Sequence, residues 1–300
     1  MSRVSSIEEL VKQCYSLFKN SASRKLKLAA IAESFEEKTL RPRNIFSIKF
    51  LTSEESATEA TLVDYRQLLQ LTEQLKDDKS LSRDQRSNIK SIWSKLRDAR
   101  SLVNLIALHD VLTEGISPYQ KWGQLKLASS FERLFEKTKL YNRLTAISET
   151  KFLSPEKLAM IDEMIDFPTG TWKKTGQKVL YCPKTSHEMV TKVVVARASM
   201  AGKFQRAKES VHKKNDPPFL DQLSTLWDCR NWDTDALENN NNFTNFKEEF
   251  LASTFHVTNQ SFLDGFDKAK LELEIISSIN LVKKLGLLEK MMKENHIIQQ

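Results

Sequence analysis

Glycine and proline are scarce, with seven of each in 300 residues. A chain so poor in both turn formers makes few tight turns and favours long uninterrupted elements. Cysteine is scarcer still. Cys14, Cys182 and Cys229 are odd in number and far apart, which excludes a disulfide framework and fits a reducing, intracellular compartment. No run approaches 18 apolar residues, and the opening MSRVSSIEEL lacks an apolar core, so neither a membrane span nor a signal peptide is expected. Cys182 and His187 are five apart with no second pair at zinc spacing, so no metal is expected. Neither a glycine-rich phosphate loop nor a nucleophile with an adjacent base stands out, and no cofactor is expected.

What the chain does have is helix-forming material. Leu, Lys and Glu are abundant, and the apolar 40% and charged 28% are ordinary for a globular protein with a real core. The net charge of +7 permits an acidic partner without requiring one. No fixed-period repeat is visible.

Helix starts are well marked. Ser5-x-x-Glu8 is a capping-box pattern before a helix whose apolar face is Ile7, Leu10, Val11, Cys14, Leu17 and Phe18. Asn20 or Ser21 caps a second helix running to about Glu37, stopped by Arg41-Pro42. Ile45–Leu51 is the densest β-branched and aromatic run and predicts one buried strand. Thr52-x-x-Glu55 then opens a single helix to Leu75, and Glu54-Glu55 complements its dipole. Ser82-x-x-Gln85 opens a long helix toward Leu112, with Gly115 as its stop. Ser117-Pro118 and Ser154-Pro155 each read as an N-cap followed by proline at the first helical position. Phe167–Pro183 concentrates turn signals and is the candidate boundary or loop. From Thr185-x-x-Glu188 a helix runs to about His212. FLDQLSTLW is a short helix, CRNWDTDALENNNN a loop, and Phe243–Phe255 and Ser261–Leu285 are further helices.

An ordered series of segments carries a family resemblance. YSLFKNSASRKLKLAAIAES precedes IFSIKFLTS, then VDYRQLLQL, then ALHDVLTEGISPYQKWGQ. This order resembles proteins derived from hAT-superfamily transposases, over about residues 7–125 and more weakly over 219–255. Those relatives have a helix–SxxR–helix unit, matched by Ser21 and Arg24. A strand ending in Arg-Trp and a small hydroxyl residue follows. Lys49 and Phe50 stand at the Arg-Trp position and Ser53 at the hydroxyl. His109-Asp110-Val111-Leu112, Ser117 and Gln120 match a later segment, and Trp232 falls in an Asn-Trp turn.

The resemblance implies an RNase H-like core interrupted by a helical insertion domain. In such relatives Asp, Asp and Glu hold two metal ions. Both Asp residues lie upstream of where this chain starts, and the dimerisation segment lies beyond where it ends. Glu272, Glu274 and Glu289 are open alternatives for the third acid. The expected fold is therefore mainly α: a multi-helix bundle with one short remnant β-strand of an RNase H-like core. The expected divisions are residues 1–75 as core remnant, 76–285 as helical insertion and 286–300 as a frayed tail. Two-metal phosphoryl transfer needs several carboxylates around cations about 4 Å apart. One late acid does not hold that pair, and Lys-Phe lacks the donor fork and indole N–H of Arg-Trp. The expectation is a catalytically incomplete, nuclear, transposon-derived protein that is not an enzyme. Its partners would be DNA, a protein or a second copy.

The expected nucleic-acid contact is the basic run Lys192, Arg197, Lys203, Arg206, Lys213 and Lys214 on one helix, whose other side is apolar. A solvated amphipathic face accounts for the same charges. His109-Asp110 reads as a helix-surface pair or an interior histidine, because adjacent helical residues do not face each other. Trp93, Trp122, Trp172, Trp227 and Trp232 read as core anchors, with no basic interleaving around Trp93 or Trp227, whereas Trp122 has Lys121 and Lys126 beside it. The runner-up to the transposon reading is a helical protein-interaction module with no nucleic-acid role.

Overall fold

The computed structural model describes residues 3–40, 43, 50–123 and 133–215. It divides into two compact units: residues 1–124 with 139–207, and residues 125–138 with 208–300. Of the second unit, the described parts are the first residues of one helix and the last residues of another. The expected helices beyond residue 215, the tail after 286, Glu272, Glu274, Glu289, Trp227 and Trp232 lie outside the described residues.

The described residues are mainly helical, in line with the expected class. Helix α1 spans Arg3–Phe18, and Ile7, Leu10, Val11, Cys14, Leu17 and Phe18 are all buried along it, as their spacing predicts. It begins upstream of Ser5, which lies inside the helix rather than capping it. Helix α2, Ala22–Ser34, is capped by Ser21, whose hydroxyl accepts from the Arg24 amide at 3.2 Å. It ends before Arg41-Pro42 is reached, in a turn at Glu36 with φ 57°.

Helix α3 runs from Phe50 to Val63. Phe50 and Leu51, expected to close a strand, form its first turn, while Ile45–Lys49 lie outside the described residues. Thr52 and Glu55 therefore form no capping box, and Glu54-Glu55 falls beyond the first turn. The single helix expected to Leu75 is broken at Asp64, and α4 spans Tyr65–Leu75. The Asp64 carboxylate accepts from the Leu40 amide and the Thr39 hydroxyl, both at 2.8 Å, so a residue from the middle of the pattern is committed to a distant loop.

The capping box at Ser82 and Gln85 is formed, and α5 spans Arg83–Leu96. It does not continue to Leu112. Asp98 is extended and caps α6, Ala99–Asp110. The cause is non-local: Leu180 pairs with the break, donating to Arg97 O at 2.8 Å and accepting from Ala99 N at 2.9 Å. From Val111 to Ile116 the helix widens into a π segment, followed directly by α7, Ser117–Gly123. Gly115 does not stop the helix; it is buried, and a Cβ there would lie 2.8 Å from Leu144 Cδ2. Ser117 caps nothing; its backbone is already helical and its hydroxyl donates to Glu55.

Helix α8 spans Arg133–Glu149, and α9 spans Pro155–Met164 with the expected Ser154 cap and proline at its start. Phe167–Pro183 is no boundary; it packs inside the first unit. Strands β1, Ile165–Asp166, and β2, Thr171–Trp172, pair antiparallel there, with Ile165 opposite Trp172. Trp172 is fully buried against Tyr65, ring centroids 5.3 Å apart. Helix α10 spans Ser186–Asn215, undisturbed by Val193-Val194-Val195. The expected division at residues 75 and 76 falls within the first unit, where α4 packs on α5.

Trp93 departs from the core-anchor expectation. It is half-buried, its indole N–H donates to Gln177 at 3.0 Å, and its ring lies between Lys76 Nζ at 3.8 Å and the Arg97 guanidinium at 4.4 Å.

Candidate functional site

Helix α10 carries the charges singled out in the sequence, and its seating decides which of them face water. The Thr185 hydroxyl accepts from Glu188 N at 3.1 Å, and the Glu188 carboxylate accepts from Lys184 N at 2.8 Å, so the start is fixed reciprocally. Met189, Val193, Ala196 and Met200 follow at helical spacing and are buried in the first unit. Lys192, Lys203 and Arg206 are exposed. Lys192 pairs with Glu188 at 2.7 Å, one turn back. Lys213 and Lys214 are helical; their side chains lie outside the described residues, as does Lys49. Lys208 is half-buried, and desolvation lowers its pKa from the ordinary lysine value.

Arg197 does not belong to the basic face. It is 3% exposed and points into the first unit. Its Nη2 donates to the carbonyl oxygens of Thr150 at 2.8 Å and Phe152 at 2.7 Å, and its Nη1 lies 3.7 Å from the Asp110 carboxylate. The helical wheel already separates it, because five residues from Lys192 turn about 140° around the axis.

Asp110 is the centre of this polar cluster. It is also 3% exposed and ends α6 where the π segment begins. Lys157 of α9 lies 3.5 Å from its carboxylate and 3.0 Å from His109 Nδ1. Although adjacent on the helix, His109 and Asp110 do approach each other, His109 Nδ1 lying 4.0 Å from the Asp110 carboxylate, and Lys157 lies closer to each than they lie to one another. Glu114, on the π segment, has its pKa raised by desolvation and then by the Asp110 charge, against the opposing pull of Arg197, Lys157 and His109. π segments recur at functional positions, yet here the carboxylate is held by two cations. The arrangement ties α6, α9, α10 and the 150–153 segment together. Local spacing singles out His109-Asp110 but not Lys157, which is remote from them in the chain.

Beside this cluster lies an open groove of about 540 Å³, lined by Phe152, Leu153, Leu158, Val190, Val194 and Val195 with Lys151 and His187 among its polar residues. Phe152 is 79% exposed and Val195 58%. The Arg197 bond to the Phe152 carbonyl fixes the backbone that presents this ring.

Of the family-motif positions, Phe50 begins α3 and Ser53 lies in its first turn, so both are helical. Among the described residues no group of three or more His, Cys, Asp or Glu side chains is placed to hold a metal ion, and no helix is long and apolar enough to cross a membrane. No family model, no curated protein and no solved structure matches the chain.

Proposed function

We propose that this chain is a transposon-derived, catalytically incomplete relative of hAT transposases that acts by binding, with α10 as its nucleic-acid contact. The observation that carries the reading is the division of α10 into two faces. Met189, Val193, Ala196 and Met200 seat it, leaving Lys203 and Arg206 exposed within one turn and Lys192 exposed along the same side. Lys213 and Lys214 extend the basic sequence on the same helix. Cations along a helix suit a phosphate backbone, which is recognised by charge and spacing rather than by base edges. The ordered series from Ser21 to Gln120 supports the family reading, as does the mainly helical body. Arg197, being buried, takes no part in the basic face.

Fluorescence anisotropy with a labelled short duplex tests the proposal. Lys203→Glu with Arg206→Glu reduces affinity about tenfold or more at low salt on this reading. Binding that survives the double reversal would sink it. Mg²⁺-dependent strand transfer by the purified chain would refute catalytic incompleteness.

A second reading, a protein-interaction module without a nucleic-acid role, draws on the groove and its exposed Phe152. Light scattering compares the chain with a Phe152→Ser variant. A larger assembly that reverts to monomer in the variant favours self-association through the groove.

A further inference from the structure

Glu54 is a carboxyl without a hydrogen-bond donor. It lies fully buried on α3, and neither of its oxygens has a hydrogen-bond partner. A buried polar group without a partner is costly, and a buried charge more so. The facing helix α1 supplies the opposite of relief. Glu8 presents a second carboxyl to it, while Lys12, one turn further on, acts in the stabilising sense. Glu8 itself is half-buried, so the buried Glu54 carboxyl is accommodated beside it when Glu54 is protonated and is repelled when it is ionised.

The charged groups on the other elements packed against α3 are engaged elsewhere. Asp64, between α3 and α4, is turned to Thr39 and Leu40. On α4, Arg66 pairs with Glu37 and Glu73 with Lys76. On α6, Arg100 pairs with Asp98, and His109 and Asp110 are held by Lys157. Glu114 of the π segment feels the Asp110 cluster, the α7 hydroxyl of Ser117 holds Glu55, and Lys121 is exposed.

We propose that the contact between α1 and α3 is a proton-controlled latch, in which a proton on the buried, donor-less Glu54 keeps the first helix seated and its loss, which leaves a bare carboxylate beside Glu8, loosens that helix. Burial first, and Glu8 second, push the Glu54 carboxyl up to about 8, so the latch works near neutral pH. The sign follows from linkage. The seated state holds the proton more tightly than the released state. Seating is strongest below the ordinary carboxyl range and weakens as pH rises toward 8, where the effect is complete.

Cys14 supplies the readout. It is fully buried on α1, and burial pushes its thiol up to about 12, so it is inert while the helix is seated. The experiment measures carbamidomethylation of Cys14 by iodoacetamide in the full chain with Cys182→Ser and Cys229→Ser. Each rate is divided by that of a free cysteine peptide at the same pH. The corrected rate is expected to rise up to about tenfold per pH unit between about 6 and 8 and to level off above. Glu54→Gln is expected to abolish the rise. A purely structural role for Glu54 would change the rate by one factor at every pH. A flat wild-type profile, or a Glu54→Gln profile that climbs like the wild type, overturns the latch. Should Glu54→Gln fail to fold by circular dichroism, Glu8→Gln decides. It is expected to move the levelling-off to lower pH, and an unmoved profile overturns the latch.

Discussion

At Arg197 a residue that looks like surface charge turns out to be a buried tie. Its guanidinium bridges two carbonyls of the 150–153 segment and the Asp110 carboxylate. Removing one partner of such a group strands the other in a dry site. Arg197→Met is therefore expected to lower the urea-unfolding free energy by about 3–5 kcal/mol, whereas Lys203→Ala on the exposed face changes it by less than about 0.5 kcal/mol. Asp64 gives a second residue-scale test. Burial raises its pKa to about 6 against the lowering pull of Leu40 and Thr39. A raised folded-state value means that this group's stabilising effect is full below its unfolded pKa and is lost as pH rises through 6. Thermal melts of Asp64→Asn between about pH 4 and 7 are expected to show a shallower decline than the wild type; an equal slope would contradict the assignment. These roles were hard to read in sequence for one reason: both depend on partners remote in the chain. Only the angular offset of Arg197 from Lys192 was available locally.

At the scale of elements, some local start signals came through, those at Ser5, Thr52 and Ser117 did not because the helix begins upstream of each, and breaks set by remote partners stayed hidden. Ser21, the Ser82–Gln85 box and Ser154-Pro155 start helices where the sequence puts them, because a cap is an arrangement among residues three apart. The breaks at Asp64 and at Arg97-Asp98 were invisible, since Leu40 and Leu180 cause them from elsewhere in the chain. The π segment was equally hidden. Gly115 has the local character of a stop, but in the fold it admits Leu144 and Ile147 of α8. Gly115→Ala is expected to cost about 1–3 kcal/mol by overpacking, and Ser82→Ala about 1 kcal/mol through loss of the cap. Chemical denaturation checks both, and a neutral Gly115→Ala would mean that Leu144 has room to move.

For the whole molecule, composition indicated a mainly helical chain before any element was placed. Scarce glycine and proline leave few tight turns, and the abundance of Leu, Lys and Glu favours helices. The first unit draws α1 and α3 through α6 into one core, closed by the hairpin around Trp172, so the turn-rich stretch belongs to the body rather than dividing it. The seating of α10 on this core gives its cations a fixed spacing, which an isolated basic peptide lacks. The family reading rests on the ordered motif series and the helical body, and the binding proposal on which face of α10 is left exposed.

The most direct test of that proposal is the salt dependence of duplex DNA binding, measured for the wild-type chain and for Lys203→Glu with Arg206→Glu. The account predicts a linear fall of log affinity with log salt. It also predicts a slope about two units shallower in the variant, close to one for each phosphate that is no longer neutralised. An identical slope in both proteins, or no salt dependence in the wild type, would contradict it.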